Sequence, residues 1–353
     1  MSVSGKLSNK IANMGIVCAV LIVFIHLPRW FGGIGERMLW GFFAYGVGKI
    51  AVPFFFAASG YFLAVHFDGE LWYGREVKKR IRSLVIPLVV WCVLWWAWNV
   101  VIVLVANLVA HRELLSLSAC GWGWETWTRV FAVHPFRQPY LPVLWFVRVL
   151  FLLVLASPIL RWFANPIGVT VLWLLNGLTF PDYGIACTPS VFTVAEGLCS
   201  FFAMTWFCLG MMLRVKGTNL IVNCNWKVGA CCGLVGFCML AFRGMPYVSY
   251  CSRVLTWLCI PFVLIGVWCI CPTRQWPKWL TRAAFPVYLL HMFAISTIHF
   301  AIKRSGFPFV DSAWLSGLEY ACVGMLAVVI SIAASTVLRN FFPRLAIVLF
   351  GGR

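Results

Sequence analysis

The sequence predicts an all-α, polytopic integral membrane protein of about ten transmembrane helices, and three observations predict it. The chain is 62% hydrophobic and 11% charged, with a mean hydropathy of +0.91; an ordinary globular domain carries about 25% charged residues. Its apolar runs repeatedly reach the ~20 residues that cross a bilayer. Its 28 Lys and Arg form no single patch but sit in short clusters between those runs. That parcelling reports topology. It removes nucleic acid from the partners that a net charge of +18 would otherwise suggest. The 20 Trp and 30 Phe read as lipid-contact and interfacial residues rather than base-stacking platforms.

The spans are expected at 11–27, 40–65, 84–110, 142–162, 167–181, 199–213, 228–242, 254–271, 283–301 and 314–338. The first run is too long for a signal-peptide core and no small-x-small site follows it, so it is expected to stay as a span. The second carries Lys49 in "YGVGKIAVPFFFAASGYF". Pro53 removes the bond to the Lys49 carbonyl and should kink the helix there; Ser59-Gly60 is small enough for close helix packing. The third follows a basic run holding Arg75, Lys78, Lys79, Arg80 and Arg82. The fourth holds Arg148 two turns in, the fifth and seventh are short, and Glu196 opens the sixth. The ninth contains Tyr288 and His291, three apart and so on one face. The tenth has Glu319 near its outer end.

Counting cations by loop parity gives an excess of roughly two to one on the side of both termini, which places both in the cytoplasm. Lys6 and Lys10 belong to that count, and Lys49 and Arg148 fall inside spans. The expectation is one transmembrane domain over 1–353, with no soluble domain appended. The longest loops, 111–141 and 181–198, are then outside. The former carries Trp122, Trp124, Trp127, His134 and Tyr140, which suit either sugar rings or an interfacial aromatic belt. Most of the 15 Cys lie inside apolar runs, where single thiols behave as small hydrophobes. No disulfide framework is expected, although Cys120, Cys187 and Cys251 in outer loops leave room for one bridge.

Three groups could carry chemistry. His26 closes the apolar run in "VLIVFIHLPRW"; helical rise puts it about 22 Å from Ile11. It is either an interfacial imidazole bonded to a carbonyl or a functional group. Lys49 and Arg148 are costly in hydrocarbon and should face a partner or a wet cavity, although Arg148 could snorkel. Tyr288 and His291 form either a polar core pair or part of a pocket. Acids are scarce, no two carboxylates have a catalytic or ligand spacing, and no HExxH, GxSxG, P-loop or GxGxxG occurs. Metal catalysis is not expected.

Five stretches, in order, resemble the acyltransferase-3 family of membrane O-acyltransferases, in its fucose 4-O-acetylase-like branch. They are "VLIVFIH", "VPFFFAASGYFL", "KKRIRSLVIPLVVW", "LWFVRVLFLLVLASP" and "FPVYLLHMF". The resemblance implies a ten-span enzyme of the cell inner membrane. It would move an acyl group, usually acetyl, from cytoplasmic acyl-CoA to a hydroxyl of a surface or lipid-linked glycan. Its partners would be the glycan, membrane lipid and glycan-assembly proteins. The family's catalytic histidine falls on His26, its Phe-Ser-Gly-type motif on Ala58, Ser59 and Gly60, and its basic loop on Lys79, Arg80 and Arg82. Ser59, Gly60, Trp145, Tyr288 and His291 would line the pocket. The family commonly has an arginine eleven residues before the histidine; here that position is Gly15. Either another cation substitutes in space or full activity has been lost.

The residue types suit that chemistry. A sugar hydroxyl needs a general base, and imidazole has the right intrinsic pKa. A carbonyl oxygen gaining charge needs fixed positive groups, for which Lys49 and Arg148 are the candidates. Donor phosphates need cytoplasmic cations, which Lys78, Lys79, Arg80 and Arg82 supply; the same cluster could instead anchor to anionic lipid. The rival reading is a transporter or flippase for a lipid-linked sugar, but the matching broken helices of an inverted repeat are not visible. A third is an inactive partner in a glycan-export complex.

Overall fold

A computed structural model describes residues 5–28, 33–67, 71–110, 116, 120–131, 134, 137–179, 200–216, 225–243, 252–305 and 315–352. All regular structure among them is helical. In order the helices are α1 (Gly5–His26), α2 (Ile34–Gly41), α3 (Ala51–Ala64), α4 (Trp72–Arg80), α5 (Ile86–Ala110), α6 (Trp124–Val130), α7 (Trp145–Leu155), α8 (Ser157–Leu160) and α9 (Pro166–Thr179). There follow α10 (Phe201–Lys216), α11 (Trp226–Arg243), α12 (Ser252–Ile270), α13 (Lys278–Thr281), α14 (Ala284–Ser305), α15 (Leu315–Phe341) and α16 (Pro343–Phe350).

The all-α membrane architecture holds, and helix length does not confirm the count of about ten crossings. Among the described residues, five helical stretches are long and apolar enough to span: Gly5–His26, Ile34–Ala64, Trp72–Leu108, Ala284–Ile302 and Leu315–Phe341. The fourth expected span is a pair, Pro142–Leu155 and Ser157–Phe163, bent by 68°. Pro158 explains the bend, since it cannot continue the backbone ladder. The remaining expected spans hold the shorter apolar helices Pro166–Gly177, Phe201–Val215, Trp226–Met239 and Leu255–Ile270.

α1 is the centre of the packing. Met14, Cys18, Leu21 and Ile22 on one side join the larger core cluster. Ile16, Ala19, Val23 and Phe24 on the other join a second cluster with α14 and α15. A helix apolar all round belongs between neighbours. Its first third is fixed by Asn13, whose amide donates to the carbonyls of Pro272 (2.9 Å) and Arg274 (2.8 Å) and accepts from the Trp276 amide. Lys10, counted above with the loop cations, is instead 3% exposed, its ammonium 4.9 Å from the Trp268 ring centre. α1 starts a turn earlier than its apolar run, and the aromatic face compensates the buried charge.

The kink expected at Pro53 lies just before it. A π-helical turn (Phe42–Gly46) and a 3-10 turn (Val47–Ile50) join α2 to α3, so Lys49 sits in the irregular segment. The proline ring excludes the carbonyl of residue 49 from a normal helical bond, and the turn ahead of it tightens. α3 and α10 cross at glycines. A Cβ on Gly60 would overlap the Phe207 carbonyl, and one on Gly210 the Ala57 carbonyl. Cys269 is disulfide-bonded, a bridge not expected from composition. Cys120 is a free, buried thiol, and Cys187 and Cys251 lie outside the described residues.

Gly210→Val should therefore separate α3 from α10. The expected loss is about 1–3 kcal/mol, as for other overpacked contacts, read as a lower melting temperature of detergent-purified protein. An unchanged melting temperature would show that the two backbones do not approach this closely.

Candidate active site

Pro28 positions His26. The residue before a proline avoids helical geometry, so α1 stops at His26 and leaves its last carbonyls without intrahelical partners. The His26 Nδ1 donates to the Ile22 carbonyl one turn back, at 2.8 Å. A carbonyl can only accept, so the proton sits on Nδ1 and, in the neutral ring, Nε2 carries the lone pair. The ring is half-buried.

α14 brings a second imidazole to it. α1 and α14 run side by side, with Gly15 against Ala284 and His26 against His291. The two ring centres are 5.1 Å apart. His291 has no exposure; its Nδ1 donates to the Tyr288 carbonyl at 2.7 Å, and its buried Nε2 has no hydrogen-bond partner. Tyr288, 6.2 Å from His291 ring to ring, donates its hydroxyl to the Val143 carbonyl and so ties α14 to the turn before α7. The Lys49 ammonium lies within electrostatic reach of His26.

Arg148 stands further along the same path. Its Nη1 donates to the carbonyls of His134 (3.1 Å) and Arg137 (2.8 Å), while its Nε is buried without a partner. The Cys92 thiol of α5 lies within electrostatic reach of both Arg148 and Tyr288 and is set against the backbone of Tyr140 and Leu141. Trp145 packs on Phe56 of α3, ring centres 6.4 Å apart. Gly60 is committed to the α10 contact, with Ser59 half-buried beside it. The aromatic residues of the 111–141 segment gather around Trp96, which lies 4.9 Å from Trp122 and 5.0 Å from Trp127. Trp124 is left 84% exposed.

The basic run forms a separate pocket. Arg75, Lys78, Lys79, Arg80 and Arg82 line a cavity of about 450 Å³ with Ser83, Gly351 and Gly352. Buried Glu76 pairs with Lys79 (3.4 Å) and Arg80 (3.5 Å), and no ion pair engages Lys78 or Arg82 among the described residues. This pocket sits at the start of the α5 run, and Cys92 lies nine residues further on, about 13 Å at helical rise.

Among the described residues, three buried charged groups escaped sequence reasoning, Lys10, Glu36 and Glu76. Lys10 was hidden by its place at a helix start. Glu36 is fully buried at the first turn of α2, its backbone amide donating to the Ser316 hydroxyl oxygen of α15 at 3.2 Å. With only 10 acids in the chain, any acid beside an apolar run was the available signal. Among the described residues no group of three metal-ligating side chains occurs.

Comparison with known proteins identifies the family. A family model described as an acyltransferase domain matches residues 13–336. The chain is 22% identical over 367 residues to the succinoglycan biosynthesis protein ExoH of Rhizobium meliloti (strain 1021), covering 99% of this chain and 93% of that protein. No solved structure gives a significant match. The chain belongs to the acyltransferase domain family.

The Arg148 contacts generate a prediction of their own. Arg148→Gln should release the His134 and Arg137 carbonyls and loosen the chain leading to Tyr140, whose hydroxyl holds the Cys120 carbonyl at 2.8 Å. Maleimide labelling of Cys120 should then rise several-fold, on the order of the change expected when ~1–2 kcal/mol of local hydrogen bonding is lost. Unchanged labelling would mean that Arg148 does not hold this segment.

Proposed function

We propose that this acyltransferase moves an acyl group, acetyl in the simplest case, from cytoplasmic acyl-CoA to a hydroxyl of a surface or lipid-linked glycan, with His26 as general base. The observation that carries the reading is the bond from His26 Nδ1 to the Ile22 carbonyl, which leaves Nε2 as a lone-pair nitrogen beside the buried His291. The polysaccharide role of the succinoglycan relative supports a glycan acceptor.

In the proposed step, Nε2 of His26 takes the proton of the acceptor hydroxyl as its oxygen attacks the acyl carbon. The thioester C–S bond then breaks, and the leaving thiolate recovers the proton from the imidazolium. Lys49 supplies positive charge near the reacting carbonyl oxygen. Arg148 retains its buried Nε for that task, although its Nη1 is already engaged. His291 and Tyr288 set the floor of the pocket, with Trp145 and Ser59 at its side. The Lys78, Lys79, Arg80 and Arg82 cluster holds the donor phosphates. The cavity they share with Gly351 and Gly352 supports that assignment. With the basic pocket facing the cytoplasm, the donor arm reaches along α5 toward Cys92 and the histidines. The outward side, with its Trp96 aromatic group, receives the glycan.

His26→Ala should lower transfer of labelled acetyl from acetyl-CoA to glycan by about 10²–10⁴-fold, the usual worth of a general base, in membranes that contain normal amounts of inserted protein. Near-normal transfer would remove His26 from the role. Arg148→Lys, which loses the planar fork but keeps the charge, should reduce turnover with normal expression; full activity would move oxyanion stabilisation to Lys49.

A further inference from the structure

The carboxy-terminal turn lies against the basic pocket and outside the region matched by the family model, which ends at residue 336. Its placement is fixed by α16. Trp91 Nε1 donates to the Leu349 carbonyl at 2.8 Å, Phe350 is 1% exposed against the Trp91 ring, and the Arg339 guanidinium lies 5.6 Å from the Phe350 ring centre. The chain then reverses through Gly351 (φ +64°) and Gly352 (φ +74°). Gly351 is needed twice over. L side chains rarely adopt this φ, and a Cβ there would overlap the backbone of Ser83.

Ser83 has been prepared to meet that turn. Pro87 has no N–H and cannot bond the carbonyl four residues back, which is that of Ser83. The helix opens into a π turn, Ile81–Val85, and the Ser83 carbonyl faces Gly351. The Ser83 hydroxyl is buried with no hydrogen-bond partner. An unmade bond of this kind is costly, and it stands in a wall whose other members are five cations. Flexible cations attract an anion without fixing it. A rigid turn and a hydroxyl donor add position.

We propose that Ser83 and the Gly351–Gly352 turn form the fixed wall of a phosphate-ester site for the soluble acyl donor, the Ser83 hydroxyl donating to a phosphate oxygen. This rests on the donor assignment made above and goes beyond it, making the Gly351–Gly352 turn part of the binding site.

The test is CoA binding to full-length protein in neutral-lipid nanodiscs, measured by equilibrium dialysis. Ser83→Ala and a chain ending at Phe350 should each weaken binding about tenfold or more, the worth of a hydrogen bond to a charged group. The shortened chain keeps the Leu349 and Phe350 anchors, and equal melting temperatures will show that it folds. Arg353→Ala should bind CoA like wild type, which separates loss of the turn from loss of the Arg353 side-chain charge. If wild type binds CoA and both the Ser83 and shortened variants match it, the wall is overturned while the donor reading stands. If wild type binds no CoA but enriches phosphatidylglycerol from mixed vesicles, the cations serve lipid, and both readings fall.

Discussion

The site depends on one hydrogen bond, from His26 Nδ1 to the Ile22 carbonyl. It answers a need created by the backbone. α1 must end before Pro28, which leaves its last carbonyls without intrahelical partners. An imidazole folded back one turn satisfies one of them, and in doing so it assigns its own tautomer. The nitrogen left over points a lone pair away from the helix. A structural requirement of helix termination thus fixes the neutral tautomer with its lone pair on Nε2.

The rest of the structure holds that end of α1 in place. Tyr320, buried in α15, donates its hydroxyl to the Phe24 carbonyl at 2.6 Å and satisfies a second carbonyl of the last turns. α14 lies along α1 and repeats the same device, His291 donating to the Tyr288 carbonyl. Asn13 fixes the opposite end. In each case a polar side chain inside the bundle bonds to a main-chain carbonyl rather than to another side chain. That is the economical solution where unsatisfied backbone groups cost several kcal/mol.

Much of this was legible in the sequence because it follows from local rules. Apolar run length predicted the helices, and His26, Lys49 and His291 stood out as ionisable groups in apolar runs. What was not legible depended on neighbours. Pro53 announced a disturbance, but whether it becomes a bend or a 3-10 turn at Lys49 is set by packing. Lys10 looked like a loop cation because Trp268, which covers it, is more than 250 residues away in sequence. The role of Gly60 as a crossing point required knowing that Phe207 of α10 arrives there. Arg148 announced itself as a buried cation, yet its bonds to the carbonyls of His134 and Arg137 depend on how the preceding segment folds back. The ten apolar segments were visible, but their lengths leave five clear spans and one bent pair.

The most direct test of the account is the protonation of the His26 ring itself. Nitrogen NMR of imidazole-labelled protein in lipid bilayers at neutral pH, assigned by difference with His26→Asn, reads each ring nitrogen separately. The account predicts a proton on Nδ1 and a bare Nε2. A ring protonated on Nε2, whether as the other neutral tautomer or as the cation, would contradict it.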